Sequence, residues 1–361
     1  MKIAIITDTH SGIKNGSDVF INNEKRFYDE VFFPECKKHG ITEILHLGDY
    51  YDHRKFTNIK ALAANKENFI EKLREYGMTM NIIPGNHDVY FKSTNSICSL
   101  QEIVMLHSDV IKLHMSPTVV DYDGLKIALL PWINPENYAE SIEFIQTAQA
   151  PIIGAHLELA GFEMMKGMPA ASHGMSAELF SRYEMVLSGH YHTKSDRGNI
   201  HYLGTPYELT WADCDDPKYF HILDTETREL CAIRNPITLF NKLVYDDSDA
   251  DDNIYADLAE YDFSALTSTY VKIVVRVKKN PYLFDKFVDA IQASNPFEVK
   301  TVENFDEYNA SNVEIDEESI ATDTVSLLNS YVDAVETDLD KDRMKTLLQQ
   351  LYVEAQALDS L

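Results

Sequence analysis

The stretch Ile44-Leu45-His46-Leu47-Gly48-Asp49 constrains the rest of the chain. Apolar residues run straight into Gly-Asp, the pattern of a buried strand that ends in a tight loop. His46 alternates with apolar neighbours and reads as a core residue. A carboxylate at such a strand end faces the crevice where open α/β sheets hold their ligands. Keeping Asp49 charged there is costly unless something cationic sits beside it. Other loops must therefore bring compensating groups to the same place.

Four further segments have the required form. Residues 2–7 read as a strand delivering Asp8-Thr9-His10, and residues 80–84 lead into Gly85-Asn86-His87-Asp88. Residues 151–155 end at His156, and residues 185–188 end in Gly189-His190-Tyr191-His192. Between the first strands, residues 24–39 and 59–76 carry apolar side chains at helical spacing and stop at Gly40 and Gly77. This βαβαβ alternation implies a layered α/β domain with parallel strands. Residues 119–130, with Asp123-Gly124 between two β-rich runs, predict a hairpin, and residues 135–149 a helix. Strands are also expected at 199–203 and 219–223, on either side of the Gly204-Thr205-Pro206 loop, which gives a second sheet and a four-layer sandwich.

Each loop alone has an ordinary explanation. Asp8-x-His10 fits a helix-capping loop and Gly48-Asp49 a common turn. Asn86-His87 fits a turn in which Asn takes left-handed geometry, and His156 a hydrogen-bonded core histidine. Gly189-His190-x-His192 is more specific, because alternate extended positions face the same way and paired imidazoles suit a metal. The conjunction is what counts: five strand-end loops carry Asp-x-His, Gly-Asp, Gly-Asn-His, His and Gly-His-x-His in that order. Carboxylate, imidazole and amide oxygen together suit Mn²⁺ or Fe²⁺ better than a thiolate-seeking ion. The number of donors suits two ions, which at roughly 3.5–4 Å apart can clamp a phosphate. Asp49 then bridges the pair.

Charge complicates a nucleic-acid reading. The formal net charge is −26, whereas proteins that grip phosphates with their own surface are usually basic. The acidity is uneven: residues 1–240 hold 22 Lys+Arg and 32 Asp+Glu, residues 241–361 hold 10 and 26. If the substrate is nucleic acid, metal ions and a partner must supply much of the positive charge. Cys36, Cys98, Cys214 and Cys231 are scattered without a Cys-x-x-Cys pair, so neither a disulfide framework nor a zinc knuckle is expected. No apolar run approaches the roughly 18 residues of a membrane span, and the first residues do not read as a signal peptide. A cytoplasmic, membrane-free protein is the expectation.

The order of motifs resembles the calcineurin-like metallophosphoesterase superfamily, and within it the SbcD-type double-strand-break repair nucleases. The likeness rests on Asp8-x-His10, Gly48-Asp49, Gly85-Asn86-His87-Asp88, His156 and Gly189-His190-x-His192, and covers residues 1–240 most strongly. Asp88 favours the nuclease branch, since phosphoprotein phosphatases typically carry Glu there. The resemblance implies an αββα sandwich over 1–240, a small α+β capping, DNA-contacting domain over 241–305, and an acidic spacer with a partner-binding helix over 306–361. It implies that Asp8, His10, Asp49 and His192 hold one ion, and Asp49, Asn86, His156 and His190 the other, most readily Mn²⁺, with Mg²⁺ an option. His87 would stand by the phosphate and assist the leaving oxygen, a task suited to a pKa of about 6.5. Some relatives have a second phosphate-facing histidine three residues after the bridging Asp. Asp52 holds that place here, and His53 lies one further on.

The activity implied is two-metal-dependent cleavage of DNA, exonucleolytic at duplex ends and endonucleolytic on single strands, as a homodimer within a heterotetramer with an SMC-like coiled-coil ATPase. A phosphatase or phosphodiesterase for a small molecule or phosphoprotein is the alternative on the same scaffold. Residues 246–252 read as an acidic linker, 270–277, 282–293 and 297–302 as a small βαβ unit, and 303–323 as an acidic extended segment. From Leu328 to Leu358 apolar residues follow 4-3 spacing with a five-residue skip, which fits a helix folded back on the protein itself or, as the acidic segment before it favours, a partner-docking helix; the resemblance implies that the partner is the ATPase. Trp132 and Trp211 read as packing residues, and His39, His107, His114, His173, His201 and His221 match no motif.

Overall fold

In a computed structural model of the chain, Lys2–Ile6 (β1), Glu43–His46 (β2), Thr79–Ile82 (β3) and Ile111–Leu113 (β4) pair in parallel in that order. The structure describes residues 1–164, 166, 174–248 and 261–303, and beyond them positions 332, 341, 343–345, 347 and 348. The parallel strands read as near-continuous apolar runs because both faces are covered. Ile3, Ile5 and Leu45 pack toward a second sheet, while Ala4, Ile6 and Ile44 pack under helices. Lys218–Asp224 (β11) joins β1 antiparallel and Leu230–Asn235 (β12) closes that edge, giving the order β12-β11-β1-β2-β3-β4.

The second sheet comprises Thr118–Tyr122 (β5), Leu125–Leu130 (β6), Ile152–His156 (β7), Met185–Gly189 (β8), Ser195–Arg197 (β9) and Ile200–Tyr202 (β10). Its order is β5-β6-β7-β8-β10-β9, with β6, β7, β8 and β10 parallel and the expected β5–β6 hairpin at one edge. The sheets meet through Ile3, Ile5, Leu45 and Leu47 on one side and Ile127, Leu129, Ile152 and Leu187 on the other. Each such side chain stabilises the fold by about 1.5–3 kcal/mol relative to exposure. Gly154 permits the close approach: a Cβ there would lie 2.9 Å from Leu47 Cδ2.

Helices cover both outer faces, completing the αββα layering expected from sequence. Asp18–Arg26 continues through a π-helical turn, Phe27–Phe32, into Phe33–Lys38. It starts earlier than the sequence pattern suggested, because Phe20 already belongs to the buried face. Ile59–Asn65, Lys66–Ile70 and Glu71–Tyr76 form the second crossover and stop at Gly77, whose φ of 62° suits glycine. Tyr138–Thr147 buries Ile145 against the far sheet.

Phe240–Asp246 (β13), Tyr270–Val277 (β14) and Glu298–Val302 (β15) form a third, parallel sheet, with the helix Pro281–Ala293 between β14 and β15. Tyr245, Val271, Ile273, Phe284 and Ile291 give it its own core. The expected βαβ unit is present, with β13 added to it. Asp246, taken from sequence as the start of a linker, instead closes β13. Asp247 is buried and accepts the backbone N–H groups of Lys279 (2.7 Å) and Asn280 (2.8 Å), so acidity here anchors the approach to a helix. Residues 249–252, the segment 304–323 and most of the 4-3 stripe lie outside the described residues; Val332, Lys341, Arg343, Met344, Lys345, Leu347 and Leu348 are helical. No helix among the described residues is long and apolar enough to cross a membrane.

Candidate metal centre

The centre lies in the first of two units, Met1–Tyr308, at the C-terminal ends of β1, β2, β3, β7 and β8. The β1–β2 pairing continues past the strands: Asp8 N donates to Gly48 O (3.0 Å), His10 N to Asp49 O (3.1 Å) and Ser11 N to Tyr50 O (2.8 Å). This forces the two loops to run side by side. Asp8, His10, Asp49 and His190 all take positive φ (52°, 43°, 53° and 86°). Such backbone is unfavourable by about 1–3 kcal/mol per residue and persists only where the surroundings hold it.

Glycines make the crowding possible. A Cβ on Gly85 would lie 2.2 Å from Asp49 Oδ1, and one on Gly189 2.1 Å from Thr7 Oγ1 and 2.7 Å from Asp8 Oδ2. Into this space the structure brings all eight side chains singled out from sequence. Ligand atoms of Asp8, His10 and His192 lie within 4.8 Å of one another, as do those of His10, Asp49 and His87, and those of Asp49, His156 and His190. Asn86 completes the set, its Oδ1 2.9 Å from His156 Nε2 and 2.8 Å from His190 Nδ1.

The hydrogen bonding fits a cation among these atoms. His156 Nδ1 faces the Leu47 carbonyl at 2.8 Å, as a donor, which leaves Nε2 as a lone pair. That Nε2 nevertheless faces two acceptors, Asn86 Oδ1 and Asp49 Oδ2, the latter at 3.2 Å. His10 Nε2 and His192 Nδ1 are buried with no hydrogen-bond partner among the described residues, and His10 Nδ1 has only the Asp52 carboxylate, at 3.3 Å. Buried polar atoms are normally satisfied, and a divalent ion satisfies acceptors and lone pairs together. The donor set has carboxylate, imidazole and amide oxygen and no thiolate, so it fits hard to borderline divalent metals.

Opposite charges within the site shift one another. Burial would pull His10 down, but Asp52, Asp49 and Asp8 outweigh it and lift the imidazole to about 10. Burial likewise opposes His156, which Asp49 and Asp8 raise to about 9. Asp49 stays well below the usual carboxylate range, burial being overcome by His156 and His87. Burial raises Asp8, with the Asp49 charge adding to it. His190 and His192 are driven down, first by burial and then by neighbouring imidazoles. A metal would take over the positive charge that protonated histidines carry here.

A family model for calcineurin-like phosphoesterases matches residues 1–204. The chain belongs to the calcineurin-like phosphoesterase family. It is also 32% identical over 358 residues to exonuclease subunit 1 of Enterobacteria phage T4, a match spanning 98% of this chain and 99% of that one. Among solved structures, it is similar to an archaeal phosphodiesterase (18% identical, TM-score 0.34, covering 65% of this chain and 100% of that one). It is also similar to TT1561 of Thermus thermophilus (13% identical, TM-score 0.38, covering 64% and 98%). This calcineurin-like phosphoesterase is a metal-dependent hydrolase.

Several residues that serve the phosphoesterase site had no assigned task from sequence. Asp88 accepts the backbone N–H groups of Tyr50 (3.1 Å), Tyr51 (3.2 Å) and Gly85 (2.9 Å), tying the Asp49 loop to the Asn86 loop. Burial, then the Asp49 charge, lifts its carboxyl to about 7. Asp52 stands 3.3 Å from His10 Nδ1, and its carbonyl lies 2.6 Å from His87 Nδ1, so it orients two imidazoles. His53 stacks on Phe56. Lys218, almost fully buried, donates to the His192 carbonyl (3.1 Å), Asp213 (2.5 Å) and Asp216 (2.9 Å). Thr205 N, from the Gly204-Thr205-Pro206 loop, donates to the same carbonyl at 3.1 Å. The one usable sequence signal was adjacency, since Asp52 and Asp88 each follow a ligand by two or three positions. Lys218 is far away in sequence and carried none. His46 is buried, accepting from Gly48 N at 3.2 Å and pairing with Thr9 Oγ1 at 3.1 Å. Trp211 packs on Phe240.

Proposed function

We propose that this protein is the nuclease subunit of a DNA recombination and double-strand-break repair complex, cutting duplex ends exonucleolytically and single strands endonucleolytically. The observation that carries the reading is the extent of the phage match: the family model stops at residue 204, whereas identity to an exonuclease subunit runs through 98% of the chain. A phosphatase sharing only the scaffold would not be expected to match past the sandwich. The relative's name also marks it as one subunit of a larger exonuclease, which supports partners here.

In this reading Asp8, His10, Asp49 and His192 hold one divalent ion and Asp49, Asn86, His156 and His190 the other. Mn²⁺ is favoured over Mg²⁺ because four imidazoles are a poor match for a strongly hydrated, oxygen-seeking ion. When bound, two such ions clamp the scissile phosphate and stabilise its developing charge. His87, set beside Asp49 and oriented by the Asp52 carbonyl, protonates the departing oxygen. Asp52 and Asp88 keep His10, His87 and the two loops in register. The sandwich over 1–240 carries the chemistry, 241–305 contacts DNA, and 306–361 provides the acidic spacer and docking helix. The protein acts as a homodimer within a heterotetramer with an SMC-like coiled-coil ATPase, in the cytoplasm of the host cell. The ATPase supplies the basic surface that a chain of net charge −26 lacks.

The test is incubation with Mn²⁺ and end-labelled duplex or single-stranded DNA, with a nucleotide monophosphate ester as control. Metal-dependent shortening of DNA with little ester hydrolysis is expected. Preferential ester turnover would favour the phosphatase alternative. Deleting residues from 323 onward should abolish co-purification with the ATPase while basal nuclease activity survives; undiminished co-purification would overturn the docking assignment.

A further inference from the structure

We propose that the cavity beside the metal centre, bounded by Trp132 and Tyr138, is a subsite for the nucleobase adjoining the scissile phosphate. The inference rests on the nuclease reading and extends it to substrate positioning. The cavity has a volume of about 270 Å³ and is lined by Trp132, Tyr138, His156, Leu157, Glu158 and Met175 among others. His156 belongs both to this wall and to the metal cluster with Asp49 and His190, so whatever fills the cavity abuts the reacting centre. The Trp132 ring lies 5.2 Å from that of His190 and 5.9 Å from that of His156.

The chemistry of the walls selects the occupant. Among the described residues they are mainly apolar and include no Lys or Arg, while Glu158 contributes a carboxylate. A phosphate would be repelled, but a flat, neutral base with exocyclic amino groups has apolar faces to bury and donors to offer. Aromatic rings serve as base platforms because every base has a π-face. Tyr138 stands 52% exposed at the start of its helix, with its ring along the cavity. Trp132, read from sequence as a packing residue, is held by its backbone. Its N–H donates to the Pro84 carbonyl at 2.9 Å, next to Gly85-Asn86, and its carbonyl accepts from Asn95 (3.1 Å) and Asn137 (3.0 Å). The backbone that carries the indole is thereby tied to the Asn86 loop, and the ring itself packs against the core and His190.

The experiment compares the full-length Mn²⁺-loaded protein and its Trp132→Ala, Trp132→Phe and Tyr138→Ala variants on three substrates. These are an oligonucleotide, the same oligonucleotide with an abasic site at the cleaved position, and bis(p-nitrophenyl) phosphate, a diester without a base. Loss of one stacking contact lowers binding by about 5- to 150-fold. Trp132→Ala should therefore cut the ratio of kcat/KM on the intact oligonucleotide to that on the diester at least about fivefold. Trp132→Phe should restore most of the ratio, and the abasic substrate should lower it for the unsubstituted protein as well. In a Trp211→Phe background, a deoxynucleoside monophosphate should quench Trp132 fluorescence and deoxyribose 5-phosphate should not. Equal losses on all three substrates, or equal quenching by both ligands, would overturn the subsite and leave the nuclease reading standing. Diester turnover with no cleavage of either oligonucleotide would overturn both.

Discussion

Replacing Gly85 by alanine tests whether Asp49 is the shared ligand. The new Cβ would lie 2.2 Å from Asp49 Oδ1, 2.4 Å from Asp49 N and 2.8 Å from Asp49 Cγ, where ordinary contact begins at 3.4 Å. The carboxylate or its loop must retreat by about an ångström, against a coordination tolerance of about 0.2 Å. Overpacking of this kind destabilises by about 1–3 kcal/mol by itself. Gly154→Ala is the comparison, since its Cβ would press on the end of the Leu47 side chain, Cδ2 at 2.9 Å, and on no atom of Asp49. In EDTA both variants should lose stability by thermal or urea unfolding, Gly85→Ala the more because its Cβ meets backbone as well as side chain. At Mn²⁺ a hundredfold above Kd, a single site adds about 2.7 kcal/mol. Gly154→Ala should recover that gain in full and Gly85→Ala less than half of it, with calorimetry showing fewer than two bound ions. Two ions bound by Gly85→Ala with undiminished affinity would refute the placement of Asp49 between them.

Other expectations are as specific. His87→Ala should retain both metals by elemental analysis while DNA cleavage falls by about 10²-fold or more, as for loss of a general acid; loss of metal would make His87 a ligand. Lys218→Met leaves Asp213 and Asp216 buried and unpaired, which should destabilise by about 3–5 kcal/mol in denaturant titration and weaken Mn²⁺ binding through the His192 loop. Buried Glu24, hydrogen-bonded by Ser11 (3.3 Å) and Asn65 (3.4 Å), rises from its ordinary 4.5 to about 7, chiefly through burial. The folded state therefore holds a proton that the unfolded chain has released. Its contribution is complete below pH 4.5 and is lost as pH rises through 7, by about 3 kcal/mol in all. Glu24→Gln should flatten that part of the stability profile and stabilise the protein at pH 8; an unchanged profile would show that Glu24 is ionised in the fold.

The αββα layering, and the set of Asp, Asn and His side chains that the fold gathers in one crevice, were legible in the sequence because both are local. A strand buried on two faces must be apolar throughout, and the loop that ends it announces itself with glycine beside a polar residue, as at Gly48-Asp49 and Gly189-His190. Helix stops at Gly77 and the Asp123-Gly124 hairpin follow from backbone geometry in the same way. Strands with alternating or mixed surfaces were not legible: β13 interleaves Asn241 and Lys242 with apolar residues, and its partner β14 lies beyond an intervening segment. Sequence spacing could also not say which carboxylates would support the site. Asp52, Asp88 and Lys218 acquire their tasks only when the parallel pairing of β1, β2 and β3 and the antiparallel return of β11 bring distant backbone groups within about 3 Å. Trp132 packs against the core as its sequence context suggests, whereas its place beside His190 and along a cavity wall is set by the tertiary fold alone. Residue types and loop order belong to the chain itself, whereas distances across the crevice belong to the packing of the two sheets, whose separation depends on contacts such as Gly154 against Leu47.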